Sequence, residues 1–181
     1  PKMEAALQID PENRWLSHMP LRRLQAEQIR DAMLVASGEL DRSAGGPGCD
    51  ADKPRRSIYV KVIRNRRDPL IDAFDGVDNF TSTADRNVTT TATQALLMIN
   101  GPFAVTRAAK LAEQITRDES GMQRTPPQVV DSIFESILRR APTVAEQSRF
   151  AEWIASAADR TATIQDICHV LMNSNEFLYV Q

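Results

Sequence analysis

Histidine, cysteine and aromatic residues are scarce in this chain. His18 and His169 are its two histidines, too few for most His-rich metal sites. Its two cysteines, Cys49 and Cys168, fall in a Gly-rich loop and on an apolar helix face. They are expected to be free thiols, because a disulfide requires that the fold bring them within a narrow distance. No C-x-x-C or C-x-x-C-H occurs, so a redox dithiol and covalent haem attachment are both excluded from this stretch. The aromatic share of 6% offers no platform for stacking bases, and a formal net charge of −2 supplies no field to draw in nucleic acid or an anionic membrane. No apolar run approaches the roughly 20 residues that cross a bilayer. No signal peptide is visible. The chain starts at Pro1 rather than Met and is read as an excised fragment of a larger protein, so a missing targeting signal says little about location.

What is present is the apolar share, 42%, and charged share, 25%, of a globular chain. The most distinctive feature is a switch of sign. Lys53, Arg55, Arg56, Lys61, Arg64, Arg66 and Arg67 crowd fifteen residues without an acid, and Asp68, Asp72, Asp75, Asp78 and Asp85 follow without a base. Two readings are open. Either the blocks neutralise each other and the helix ends, or the guanidinium forks form a site for an anion. The adjacent acids favour the first.

Apolar spacing predicts helices over most of the rest. Pro20 suits a first helical position, and Leu21, Leu24, Ile29, Ala32, Met33, Ala36 and Leu40 follow at helical intervals. Arg22, Arg23, Glu27, Arg30 and Asp31 then form the charged face, with Glu27 four residues from Arg23. Gly45-Gly46-Pro47-Gly48 is a loop. Ser57 to Ile63 reads as a strand, since Ile58, Val60 and Val62 alternate with Tyr59, Lys61 and Ile63; residues 2–9 or 79–83 are available to pair with it. Asp68-Pro69 opens a short helix through Phe74, and an irregular polar segment follows it. Gln94 to Ile99 forms a helix stopped by Asn100-Gly101, and Pro102 starts the next, with Phe103, Leu111 and Ile115 inward. Val130, Ile133, Phe134, Ile137 and Leu138 form another apolar face. Thr143 and Glu146 make a capping box, Thr163 is expected to cap the last helix, and Ile164, Ile167, Cys168, Leu171 and Met172 face inward.

Little of this carries reaction chemistry. His169 adjoins Cys168, but neighbouring helix residues point about 100° apart, against a Cys/His pair. Asp72, Asp75 and Asp78 lack the spacing of an EF-hand loop, and no metal site is expected. Arg86, Thr90, Gln94 and Asn100 either tie down loop backbone or line a ligand pocket.

Several stretches, taken in order, are similar to a known family: Arg22-Arg23-Leu24 through Met33-Leu34, Gly45-Gly46-Pro47-Gly48, Arg55-Arg56-Ser57-Ile58-Tyr59, Phe74-Asp75, Arg86-Asn87-Val88-Thr89-Thr90, Gln94-Ala95-Leu96, Asn100-x-Pro102-Phe103 and Leu171-Met172-Asn173-Ser174-Asn175-Glu176-Phe177. Together they resemble the planctomycete-type PSD-one domain, a domain of unknown function. The resemblance implies the C-terminal part of a large exported protein with cytochrome c-like modules upstream, and hence an extracytoplasmic setting. It implies no cofactor in this fragment and no established activity.

The expectation is therefore a mainly α-helical domain over 1–181, with one small β element and a long irregular central segment. Residues 20–119 form a core half with the Arg/Asp-rich insert, and 126–181 a hairpin-like helical part. Functionally, a non-catalytic accessory or docking module is expected, with upstream domains of the same chain or another protein as partner. The alternative is a ligand-binding or catalytic domain acting on carbohydrate or another polar or anionic substrate. Its candidate residues are Arg56, Tyr59, Arg64, Asp75, Arg86, Thr90, Gln94 and Asn100.

Overall fold

A computed structural model describes residues 8–63, 68–76, 89–116 and 121–180. Among these, eight α-helices and a two-stranded antiparallel sheet form the architecture, so the protein is mainly α with one small β element. The helices are α1 (Ala26–Ala36), α2 (Pro69–Ala73), α3 (Ala92–Asn100), α4 (Pro102–Ile115), α5 (Pro126–Leu138), α6 (Val144–Ser156), α7 (Arg160–Met172) and α8 (Asn175–Leu178). The strands are β1 (Arg22–Arg23) and β2 (Tyr179–Val180).

Local chemistry sets the ends of these helices. The Asp68 carboxylate accepts from the Leu70 and Ile71 amides, and Pro69 occupies the first turn of α2, where its missing N–H has no cost. Thr91 and Gln94 form a capping box on α3, and Thr143 and Glu146 another on α6. Between α3 and α4 a Cβ at Gly101 would stand 2.2 Å from the Leu97 carbonyl oxygen, so only glycine permits the close turn into Pro102. The cap of α7 differs from the expectation. Asp159 accepts from the Ala162 amide and starts the helix, while Thr163 lies inside it and returns its hydroxyl to the Asp159 carbonyl.

One buried cluster runs from Ala26 to Phe177. Helix α4 lies along α7; α6 packs on α5 and α7, and α1 meets α4 and α5. Ile29, Met33, Ala108, Leu111, Ile133, Phe134, Ile164, Ile167 and Met172 are fully or almost fully enclosed, each large one contributing about 1.5–3 kcal/mol. The sheet joins distant parts of the sequence: Arg22 pairs with Val180 and Arg23 with Tyr179, and the Leu24 amide donates to the Leu178 carbonyl at 2.8 Å.

Two expectations fail here. The helix expected from Pro20 begins only at Ala26, because Arg22 and Arg23 are extended and paired with β2. The strand expected over Ser57–Ile63 does not form. Ser57–Tyr59 is a 3-10 turn, Val60 and Cys49 make an isolated bridge, and Ile58 is 76% exposed. Alternation alone cannot build a strand without a partner along its length; of the two stretches considered as that partner, 2–9 and 79–83, residues 2–7 and 79–83 lie outside the described residues.

Candidate functional site

The two charged blocks lead to two separate constellations. The first is organised by Arg30 of α1. Its position follows from spacing: it lies four residues after Ala26 and three before Met33, on the inner face of the helix, and is 1% exposed. Its guanidinium donates to the carbonyls of Ala51 (2.9 Å), Lys53 (2.6 Å) and Arg55 (2.8 Å) and to Ser57 Oγ (3.1 Å). Burial pulls its pKa below the ordinary value, opposed by the carboxylates of Asp31 and Asp68. Asp31 completes the clamp, accepting from the Ser57 amide (2.8 Å) and hydroxyl (2.7 Å). These bonds hold Ser57 in its turn and displace the extended conformation its neighbours favour.

Arg55 extends this arrangement outward. It donates to the carbonyls of Pro47 (3.0 Å), Ser43 (3.3 Å) and Gly45 (2.6 Å), and lies 4.2 Å from the centre of the Tyr59 ring. The Tyr59 hydroxyl accepts from the Gly45 amide at 2.9 Å. Tyr59 therefore fastens the glycine loop. Arg56, next in sequence, is exposed; its carbonyl accepts from the Tyr59 amide at 2.9 Å, while its side chain has no hydrogen bond or ion pair with a described residue.

The second constellation surrounds Asp75. Its backbone takes the left-handed conformation, φ +58°, which aspartate tolerates better than most residues. A Cβ on Gly76 would meet the Ile71 carbonyl oxygen at 2.5 Å, so this turn out of α2 requires glycine as well. The Asp75 carboxylate accepts from the Thr89 amide (2.8 Å) and hydroxyl (2.7 Å), with the Gln94 amide at 3.5 Å. Arg23 crosses from β1 to donate to Gln94 Oε1 (2.9 Å) and to the Thr89 carbonyl, its guanidinium 4.7 Å from the Phe74 ring centre. Burial pushes the Asp75 carboxyl upward, but the Thr89 bonds and the Arg23 charge outweigh it and leave the pKa below its ordinary value. Gln94 is 2% exposed and also accepts from the Thr91 amide at 3.0 Å.

Of the sequence candidates, the fold thus brings Asp75 and Gln94 together, while Thr90 stands exposed next to Thr89. Asn100 is exposed at the far end of α3, about 9 Å along the axis from Gln94 and on another face. Tyr59 and Arg56 belong to the other constellation, and Arg64 and Arg86 lie outside the described residues. Of the two charged blocks, Arg64, Arg66, Arg67, Asp78 and Asp85 lie outside the described residues. Among the described members, Arg55 donates to main-chain carbonyls and pairs with Asp41 at 3.9 Å, Asp68 caps a helix and Asp75 binds Thr89. Sequence reasoning placed Arg23 and Arg30 on a solvent-facing helix surface and so missed both. The alignment of Arg30 with Ala26 and Met33 was the signal for the second. Both thiols are free; Cys168 is enclosed, and burial raises its pKa to about 12.

Elsewhere, the stretch 9–21 presents Ile9, Trp15, Leu16, Met19 and Leu21 to solvent, with Trp15 75% and Leu16 83% exposed. A hydrogen-bonded turn carries them. The Asp10 carboxylate accepts from the amides of Arg14 (2.8 Å) and Trp15 (2.9 Å), and Asn13 and His18 exchange side chain-to-backbone bonds. Asn13 and Leu16 both have positive φ, +50° and +53°. For Leu16 that conformation costs on the order of 1–3 kcal/mol.

Fold and site together define a helical module whose described guanidinium groups are largely engaged by its own backbone and carboxylates. The model of the PSD1 family, described as protein of unknown function (DUF1553), matches residues 2–154, and the chain belongs to that family. Neither the curated proteins nor the solved structures include a match to it. Among the described residues no helix is long and apolar enough to cross a membrane.

Proposed function

We propose that this chain is an accessory module that docks, through the apolar turn of residues 9–21, onto another domain of a larger exported protein bearing cytochrome modules. The observation that carries this reading is the contrast between two surfaces. The polar candidates Tyr59, Asp75 and Gln94 are engaged in bonds that order the loops. The apolar side chains of Trp15 and Leu16 instead project from a turn that is itself fixed by Asp10 and Asn13. An apolar group held outward at a cost in backbone strain is the signature of a contact surface. The export and cytochrome setting follow from the family resemblance.

The reading that makes this an enzyme or carbohydrate binder draws on Arg56 and Thr90, which are exposed. It is disfavoured by the placement of Gln94 and Asn100 on different faces of α3.

Hydroxyl-radical footprinting of the 181-residue chain and of the full-length gene product tests the proposal. Oxidation of Trp15 and Met19 falls several-fold in the full-length protein, while Met122, exposed elsewhere, keeps its rate. Equal oxidation of Trp15 and Met19 in both would remove the basis for the docking assignment.

A further inference from the structure

The segment α8–β2 forms a strap at the C-terminal end of the described chain, and Arg23 lies beside it, paired with Tyr179. The strap has few attachments. Phe177 is buried, Ser174 caps α8, Glu176 meets Arg140 across the surface, and the two-residue ladder to β1 is extended by the Leu24 to Leu178 bond. Arg23 links this strap to the Asp75 network. Its main chain stands opposite Tyr179, and its side chain reaches Gln94 and the Thr89 carbonyl.

Pairing with β2 fixes the backbone of Arg23 and so the direction in which its side chain leaves the strand. A two-residue strand does not hold that conformation without its partner. The side chain that joins Gln94 to Thr89 is therefore positioned by a strand more than 150 residues later in the sequence.

We propose that the C-terminal strap is the clasp that holds the Arg23–Gln94–Asp75 network assembled, so that release of the strap and loosening of the backbone at Thr89 are one linked equilibrium. Linkage is reciprocal: weakening the network loosens the strap by the same factor. The Arg140–Glu176 pair is a third to a half exposed, so high ionic strength shifts the equilibrium toward release.

Amide exchange measured by NMR on the 181-residue chain and two variants tests this. In a chain stopped after Leu178, the Thr89 amide, which donates to Asp75, exchanges about tenfold faster. Ile133 and Phe134 in α5 keep their protection. In Asp75→Asn, the Leu24 amide, which donates to Leu178, accelerates by a comparable factor with the same controls. Unchanged Thr89 exchange in a folded truncated chain overturns the proposal, and so does unchanged Leu24 exchange in Asp75→Asn. Where the truncated chain loses protection throughout, the Asp75→Asn comparison decides alone.

Discussion

Arg140 and Glu146 face each other through two parallel N–H···O bonds of 2.9 Å, the bidentate geometry of a guanidinium on a carboxylate. The same guanidinium donates to both oxygens of Glu176 and lies 5.1 Å from the centre of the Phe134 ring. Glu146 also accepts from the Thr143 amide at 2.7 Å. One arginine thus ties the turn between α5 and α6 to the start of α8.

This cluster makes stability depend on pH in a defined direction. The Arg140 bonds, followed by the Thr143 amide, lower the Glu146 pKa from 4.5 to about 2, and Glu176 is lowered by Arg140 as well. A carboxyl depressed on folding contributes stability that is complete above its unfolded pKa and is lost as pH falls through the folded one. Urea denaturation from pH 7 downward therefore shows a decline beginning near 4.5 and running to about 2. Glu146→Gln lowers stability at pH 7 by about 1 kcal/mol and flattens that decline.

Arg30 is a harsher test of the loop it organises. Arg30→Met removes the donor for three carbonyls at once and leaves Asp31 with Ser57 alone, and the expected loss is about 3 kcal/mol by urea denaturation. Arg30→Lys recovers less than half of it, because an ammonium cannot reproduce the planar fork.

The two thiols should separate cleanly in labelling. Cys49 is half-buried in the loop held by Arg30, whereas Cys168 is enclosed and its pKa is raised to about 12 by burial. With an aromatic disulfide reagent at pH 8, one thiol per chain reacts rapidly. The second reacts only at the rate of global opening. In Arg30→Met the Cys49 rate increases several-fold more than the Cys168 rate.

The family match ends at residue 154, inside α6, yet Ile164, Ile167, Cys168, Leu171, Met172 and Phe177 beyond it are buried in the shared core. At about 1.5–3 kcal/mol for each large side chain, their loss is comparable to the whole stability of a domain. A chain stopped at residue 154 should show no cooperative thermal transition by circular dichroism, whereas one carried to residue 180 should.

Helix existence and capping were legible in the sequence at most places where the determinant was local, the cap of α7 at Asp159 rather than Thr163 being the exception. Asp68-Pro69, Asn100-Gly101-Pro102 and the Thr143/Glu146 pair each act within a few residues, and each does in the fold what its chemistry dictates. Ser57–Ile63 was misread because its conformation is set by Arg30 and Asp31, more than twenty residues earlier. The small sheet was invisible for the same reason: nothing in Arg22-Arg23 or Tyr179-Val180 announces a pairing across the length of the chain. Asp75 and Gln94 were found as polar residues in a polar stretch, but the Arg23 side chain that joins Gln94 to Thr89 comes from that sheet.

Arg22 and Val180 sit side by side, so polypeptide entering before the first strand and leaving after the second would do so at one spot. The helical core between these two strands is consequently entered and left on one side, so a change in the chain before β1 or after β2 is felt at that side alone.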